Sequence, residues 1–110
     1  MILQTVRFES SLSEAEALRI AAERADAYRA VPGLLQKFYV KLDLPNHYAG
    51  VMLWESREAL AAFRESELAK TVPTAYAVKG EPCVRLGEVF DVLRGGSALS
   101  SAQAGVRVAG

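Results

Sequence analysis

The sequence predicts one domain of the α+β class, with the element order β-α-β-β-α-β. Three observations predict this class. Four stretches have the apolar composition or alternation of strands, and two stretches between them have helical patterns that begin at serine N-cap signals. A short turn-forming segment separates the second and third strands, which indicates a hairpin. At 110 residues the chain can bury one core and still gain from self-association.

The first strand and the first helix occupy the beginning of the chain. Residues 1–9 alternate between apolar and mixed positions, which is typical of a strand with one more apolar face. Ser13 and Glu16 form an S-x-x-E capping box, so we expect the helix to begin there. Small and apolar residues then recur at helical spacing and predict the face that lies on the sheet. They are Ala15, Leu18, Ala22 and Ala25.

The second and third strands are predicted to form an antiparallel hairpin. Residues 31–33 (VPG) end the first helix, because proline disfavours helix at the preceding residue and glycine tolerates a left-handed exit turn. Alternation resumes over residues 34–43, and residues 43–48 contain the Asp, Pro and Asn of a reversal. The apolar run over residues 50–54, which ends in tryptophan, is the third strand.

The second helix follows the third strand directly. Ser56 is a good N-cap because its hydroxyl can accept from the backbone N–H groups of the first helical turn. Leu60 and Phe63 fall on one helical face, which we expect to point inward. Residues 71–76 contain a proline and predict a short helical or turning excursion.

The fourth strand is predicted at residues 83–93, after a turn signal at residues 79–82 (KGEP). The folded domain is therefore expected to span residues 1–94. Residues 95–110 are rich in glycine, serine and alanine without an apolar period, which predicts a flexible tail.

This order is the ferredoxin-like arrangement, in which two helices cover one face of a four-stranded antiparallel sheet. By alternation, Gln4 and Gln36 fall on the helix-facing side. The opposite face would hold Leu3, Leu35, Tyr39, Val51, Leu53, Val89 and Leu93. That apolar surface predicts a homodimer closed face to face around a two-fold axis. The phase of the third strand stays open, because Met52 at the interface would also bring Trp54 there.

Composition disfavours several classes of function. Thirteen basic residues balance thirteen acidic ones, so no net field recruits nucleic acid or an anionic membrane. The single Cys83 and single His47 give neither a disulfide framework nor a His-rich metal site, although counts leave a mixed carboxylate site open. Without a signal peptide or a membrane-length apolar run, we expect a cytoplasmic protein. Serine-hydrolase, phosphate-loop, dinucleotide and HExxH motifs are absent from the sequence.

Three segments carry a resemblance to a known family. Residues 31–34 (VPGL), 50–60 (GVMLWESREAL) and 89–92 (VFDV) resemble the monooxygenases of the YdhR type. These belong, with the antibiotic biosynthesis monooxygenases, to the dimeric α+β barrel superfamily, and the likeness covers residues 1–94. It implies a homodimer whose subunits hold a small aromatic or polycyclic substrate between sheet and helices. In some members O₂ oxidises that substrate without flavin, metal or other cofactor, whereas others have different chemistry or bind haem.

Amide and aromatic side chains are the candidate substrate-binding residues in such a pocket. They are Gln4, Gln36, Phe38, Trp54, Phe63 and Tyr76. A buried glutamine needs hydrogen-bond partners, so each amide is either satisfied internally or available to a ligand. The aromatic side chains would wall the pocket, or they would be ordinary core residues. No catalytic residue is assigned from the sequence.

Other polar residues have two interpretations each. His47 is the only imidazole and could transfer protons near neutral pH, but a turn histidine is more simply a solvated one. Charged residues expected on the sheet face between subunits are Arg7, Lys37, Lys41 and Arg85, with Glu55 and Asp91. They would form interfacial ion pairs or bind an anion. Cys83 has no neighbouring histidine or helix N-terminus, which argues against a nucleophile.

Three functions agree with these features. The first is a cofactor-independent monooxygenase that supplies a dry pocket, a base and an oxyanion donor to an aromatic substrate. The second is a dimeric protein that binds a small apolar ligand or haem without converting it. The third is a structural or interaction protein whose functional surface is the dimer face or the tail. Three observations distinguish them. Oxygen consumption indicates the first function, ligand binding without turnover the second, and binding confined to protein partners the third.

Overall fold

A computed structural model describes residues 1–94 of the chain. Its elements are β1 (Ile2–Ser10), α1 (Glu14–Arg29), β2 (Leu34–Lys41), β3 (His47–Trp54), α2 (Arg57–Arg64), α3 (Glu67–Lys70), α4 (Val72–Ala75) and β4 (Val78–Glu88). The four strands form one antiparallel sheet in the order β2-β3-β1-β4. This confirms the predicted ferredoxin-like α+β fold. The predicted tail, residues 95–110, lies outside the described residues.

The helix N-termini form as the capping signals predict. Ser13 Oγ accepts from the Glu16 backbone N–H at 3.2 Å, and Glu16 Oε1 accepts from the Ser13 N–H at 3.1 Å. These hydrogen bonds lower the pKa of Glu16 below its ordinary value. Ser56 Oγ likewise accepts from the Ala59 N–H at 3.1 Å and begins α2. No helix in the described part of the chain is long and apolar enough to cross a membrane.

The inward face of α1 differs from the predicted one. Ala17 and Tyr28 are the buried residues of this helix, while Arg24 lies between them on the same side. Three of the four predicted positions, Ala15, Leu18 and Ala22, are exposed. The prediction was wrong because it followed the most apolar stripe, whereas the real inward stripe carries a guanidinium and a phenol.

The fourth strand begins and ends five residues earlier than predicted. Its first residues pair with the end of β1, and the register shifts between Arg7 and Glu9. Gly80 has a φ of 66°, so the predicted turn is an irregularity inside the strand. Pro82 is tolerated because β4 is an edge strand. The excursion predicted at residues 71–76 is confirmed as the short helix α4, and a further short helix, α3, precedes it.

The core lies between the helices and one face of the sheet. Trp54 is 0% exposed and packs in a cluster with Ile2, Met52, Leu60 and Phe63. Ile2 pairs with Trp54 across β1 and β3, so both strands point these residues at the helices. The open phase of the third strand is thereby resolved, and Leu53 points to the sheet face away from the helices as first assigned, where it is nevertheless only 7% exposed.

A β-bulge at the beginning of β2 reverses the predicted faces of that strand. Leu34 pairs with Trp54, but Gln36 pairs with Leu53, so Leu35 has no partner of its own. Every residue after the bulge therefore shows the opposite side from the one that strict alternation predicts. The residues turned to the helices are Lys37, Tyr39 and Lys41, and those turned to the open face are Gln36, Phe38 and Val40.

These placements correct three groups of predictions. Gln36 and Phe38 were expected under the helices and lie on the open face instead. Tyr39 was expected on the open face and lies on the helix side. Lys37 and Lys41 were expected beside Arg7 between subunits and are likewise on the helix side. In each case the cause is the unpaired residue in the bulge.

Candidate functional site

A cavity of about 410 Å³ lies between the helix layer and the sheet. It is bounded by α1 on one side, by the segment from α2 to α4 on another, and by all four strands beneath. Small side chains leave the space open, notably Ala17 and Ala21 of α1, Gly50 of β3 and Ala69 of α3. Its aromatic wall comprises Phe8, Tyr28, Tyr39, Tyr48, Phe63 and Tyr76. The volume is that of a small-molecule site.

Gln4 presents an oriented amide to this cavity. The side chain is 4% exposed, and its Oε1 accepts from Trp54 Nε1–H at 3.0 Å. Because the indole can only donate, this bond fixes which end of the amide is oxygen. Within residues 1–94, the Gln4 Nε2 has no protein hydrogen-bond partner. A bound ligand can therefore accept a hydrogen bond from Gln4 Nε2.

Tyr76 brings a phenol to the same cavity from the end of α4. Its backbone carbonyl accepts from Oγ of Ser10, which is fully buried. The ring packs against Phe8 with centroids 5.3 Å apart. Burial first, and then the neighbouring Tyr39 and Tyr28, raise the pKa of Tyr76 to about 12. The hydroxyl is thus a hydrogen-bond donor throughout the physiological range.

Lys37 extends its amine into the cavity from β2. Its Nζ lies 4.2 Å from the ring centroid of Tyr28 and 4.7 Å from that of Tyr39. A Cβ built on Gly50 would lie only 3.0 Å from this nitrogen, so the amine occupies the space that a side chain on β3 would fill. Burial, followed by the positive charge of Arg24, lowers the pKa of Lys37 to about 8.

Arg24 connects α1 to α3 beside this group. Its Nη2 donates to the backbone carbonyl of Leu68 at 2.6 Å, and both terminal nitrogens lie 3.3 Å from Thr71 Oγ1. Its Nε is buried without a hydrogen-bond partner in the described part of the chain. Burial raises the pKa of Tyr28, and Arg24 partly opposes that rise.

The charged residues that line the cavity are all basic. They are Lys37, Lys41, Arg64 and Lys70, and no aspartate or glutamate lines it within the described residues. Lys41, Arg64 and Lys70 are exposed, whereas Lys37 is half-buried. In a chain with equal numbers of acidic and basic residues, this one-sided lining favours an anionic or acidic ligand.

The predicted site residues divide into three groups. Gln4, Phe63 and Tyr76 line the cavity together. Trp54 lies behind it, with its ring 5.0 Å from that of Phe63, and positions Gln4. The remaining two, Gln36 and Phe38, do not line it. The proposed roles in substrate binding remain predictions for the residues that converge here.

Sequence reasoning missed Lys37, Tyr28 and Tyr39. Strict alternation assigns Lys37 and Tyr39 to the wrong face because it does not include the bulge. Gly33, with positive φ just before the strand, is the local sign of irregular backbone. His47 lies outside the cavity, where its Nδ1 is 2.9 Å from the Pro45 carbonyl oxygen and its Nε2 4.0 Å from Glu9. No cluster of three or more possible metal ligands occurs within residues 1–94.

The fold and the cavity define a small α+β protein that encloses a ligand-sized, aromatic-walled pocket in each chain. Residues 3–72 match the antibiotic biosynthesis monooxygenase family, and the chain belongs to that family. The narrower YdhR-type likeness remains a prediction. No curated protein matches the sequence.

Solved structures share this fold at low sequence identity. SnoaB, a cofactor-independent oxygenase from Streptomyces nogalater, is 19% identical, with 80% of this chain and 91% of that chain covered and a TM-score of 0.67. NE2512 from Nitrosomonas europaea, of unknown function, is 18% identical, with 80% and 87% covered and a TM-score of 0.69. Rv0793 from Mycobacterium tuberculosis is 13% identical, with 80% and 93% covered and a TM-score of 0.66.

Proposed function

We propose that this protein is a monooxygenase that oxidises a small aromatic or polycyclic substrate with O₂ inside the cavity, without a cofactor. The observation that carries the proposal is the cavity itself, which is apolar, aromatic-walled and supplied with few polar groups. Membership of the antibiotic biosynthesis monooxygenase family supports the reaction class. The likeness to SnoaB, a cofactor-independent oxygenase, supports chemistry driven by the substrate and the protein alone.

Such a reaction needs a substrate that gives an electron to O₂ once it has lost a proton. A ketone in conjugation with a CH₂ carbon meets this requirement in its enol or phenol tautomer, because one hydrogen of that carbon has moved to the oxygen and is lost from there on ionisation. The anion passes one electron to O₂, and the resulting carbon radical and superoxide combine into a C–O bond. The peroxide then takes up a proton, its O–O bond breaks, and the outer oxygen leaves as water that includes the remaining hydrogen of that carbon, so a carbonyl is left. The substrate supplies all the electrons, so no external reductant is consumed.

The protein's part is to bind, orient and exclude water. Gln4 and Tyr76 line this apolar space, and their NH₂ and hydroxyl groups are the donors they can offer there, where hydrogen bonds to a developing oxyanion are worth more than in water. Phe63 and the neighbouring rings hold the substrate plane. The apolar wall also keeps water away from the reactive anion.

Oxygen uptake in the presence of polycyclic phenols tests the proposal. We expect O₂ consumption matched by formation of a carbonyl product with wild-type protein. Gln4→Leu and Tyr76→Phe should each reduce kcat/KM by about tenfold to a hundredfold, since each removes one oriented donor. Arg19→Ala, on the exposed side of α1, is the control and should leave the rate unchanged. Saturable binding without O₂ uptake would favour a ligand-binding protein, and absence of both would reject the pocket as a functional site.

We also propose that two copies pair through the open sheet face. Leu3 and Phe38, on that face, are 40% and 48% exposed in the single chain. Exposed apolar residues clustered on a sheet face favour an interface. A two-fold axis would let the same patch serve both subunits.

A further inference from the structure

We propose that Lys37 Nζ is the base that ionises the substrate, and that this substrate is an acidic phenol or enol held in the cavity as its anion. The inference rests on the proposed function and deepens it, since it names the proton acceptor and the ionised form in which the substrate is held. The first observation is the position of the amine, which reaches the cavity between the rings of Tyr28 and Tyr39.

The second observation is that this amine has no acidic partner within residues 1–94. Other lysines do pair, since Lys41 lies 3.6 Å from Glu14 and Lys79 lies 3.8 Å from Glu9. Burying an ammonium without a counter-ion is energetically unfavourable. An anionic ligand would provide the negative charge that the described residues do not place beside Lys37.

The third observation is the set of ionisable groups that face the amine. From α1 these are Arg24 and Tyr28, and from β2 the group is Tyr39. Tyr76, at the end of α4, lines the same cavity, as does Tyr48 of β3. None of these groups is a carboxylate.

Further out, Lys41, Arg64 and Lys70 add positive charge to the cavity lining. The surroundings therefore oppose a further positive charge on Lys37 and favour a negative charge on a ligand. An amine whose pKa burial has brought to about 8 is partly neutral near physiological pH, so it can accept a proton.

The proton transfer is balanced and local. The substrate O–H bond breaks, its proton joins the lone pair of Nζ, and an ammonium–phenolate or ammonium–enolate pair results. The ammonium gains attraction both from the oxyanion and from the faces of Tyr28 and Tyr39. When the peroxide forms, the same ammonium can return the proton that allows water to leave. Tyr76 remains protonated and donates a hydrogen bond.

Anaerobic titration with alizarin tests the inference without turnover. Alizarin is a polycyclic phenol whose visible spectrum reports its ionisation. Wild-type protein should bind it as the anion and lower its apparent pKa by about one pH unit or more, a tenfold preference. Lys37→Met should abolish that shift. Lys79→Met, an exposed lysine outside the cavity lining, is the matched control and should retain it.

Lys37→Arg separates a base from a fixed positive charge. A guanidinium stays protonated, so this variant should bind the alizarin anion yet lose O₂ uptake with a phenolic substrate at least tenfold. A primary amine such as ethylamine should partly restore the rate of Lys37→Ala. Unchanged turnover and pH profile in Lys37→Arg would overturn the role as base.

The two proposals fail in different ways. If Lys37→Met ionises alizarin as wild type does, or if wild type does not ionise it, the inference about Lys37 is overturned whether or not O₂ is consumed. If the alizarin shift depends on Lys37 but no phenol consumes O₂, the monooxygenase proposal falls and the anion site stands. Circular dichroism of each variant verifies the fold.

Discussion

Trp54 donates a hydrogen bond from Nε1 to Oε1 of Gln4 at 3.0 Å, from β3 to the neighbouring β1. Both side chains lie on the helix side of the sheet, and both are buried. The bond satisfies the polar atom of the largest core residue and turns the glutamine's NH₂ group toward the cavity. Core stability and ligand orientation are thus joined in one contact.

A double-mutant cycle should reveal this coupling. Trp54→Phe and Gln4→Leu each leave a buried polar atom unpaired, which costs about 1–3 kcal/mol, and the tryptophan variant adds a cavity. The double variant should be less destabilised than the sum by about 1 kcal/mol. Urea unfolding measures all three. Gln36→Leu, on the opposite sheet face, is the matched partner and should be additive with Trp54→Phe.

Gly33→Ala should destabilise the fold more than Gly80→Ala. Both glycines have positive φ, 78° and 66°, so each substitution carries the cost of a left-handed alanine, about 1 kcal/mol. At Gly33 the new Cβ would also overlap Ala59 Cβ, whereas at Gly80 it meets no atom within 4 Å. Overpacking adds about 1–3 kcal/mol. Equal losses in thermal unfolding would contradict this explanation.

Ser10→Ala should make the position of Tyr76 in the cavity less well fixed. The Ser10 hydroxyl donates to the Tyr76 carbonyl and accepts from the Leu12 N–H at 3.0 Å, so its removal orphans two backbone groups at a cost of about 1–3 kcal/mol. Ser13→Ala is the control, since its hydroxyl also accepts a backbone N–H, that of Glu16, but at the exposed start of α1 and without contact to a residue that lines the cavity. Alizarin affinity should fall in the first variant and hold in the second.

Phe38→Glu should weaken the proposed dimer. A carboxylate at this position would be buried against the partner's open face, and buried unpaired charge is strongly unfavourable. Leu44→Glu is the control, because Leu44 is 63% exposed in the β2–β3 connection. Light scattering coupled to size exclusion should show dissociation in the first variant alone. A wild-type monomer, or a Phe38→Glu dimer of unchanged affinity, would contradict the proposed interface.

Lys37→Met should stabilise the protein at neutral pH. The pKa of Lys37 falls from 10.5 to about 8, so the unfolded chain binds more protons between these values and wild-type stability rises with pH across that window. At about 1.4 kcal/mol per pH unit, the full penalty is on the order of 3 kcal/mol below pH 8.

The advantage of Lys37→Met should therefore shrink as the pH rises from 8 toward 10.5. Guanidinium unfolding of both proteins across this range gives the difference directly. Lys79→Met, at an exposed lysine, should show no comparable pH dependence. A Lys37→Met variant that is less stable at neutral pH would indicate that the amine is not penalised by burial.

The fold could be predicted from the sequence because its signals are local. Ser13 and Ser56 mark helix starts through hydrogen bonds made within one turn, and Trp54 ends an apolar run of strand length. The cavity could be predicted only in part. Gln4 and Tyr76 were found because β1 is regular near the amide and the excursion before β4 forms as expected.

The rest depends on facts that no local pattern contains. One unpaired residue, Leu35, exchanged the two faces of β2 and with them Phe38 and Lys37. Arg24 lies inward because its guanidinium donates to the Leu68 carbonyl of α3, a contact between elements distant in sequence that an apolar stripe on α1 cannot indicate. Functional sites place polar groups and irregular backbone where a purely structural core would have apolar residues and regular strands.

Gly50 and Lys37 share one small volume on the cavity floor. The side chain that fills this volume can come from either β2 or β3, because these two strands are neighbours in the sheet. Within the family, a long residue at one of these positions should accompany a short residue at the other. Evolution could thus change the functional group offered to a substrate, or the strand that carries it, through a pair of substitutions that leave the scaffold intact.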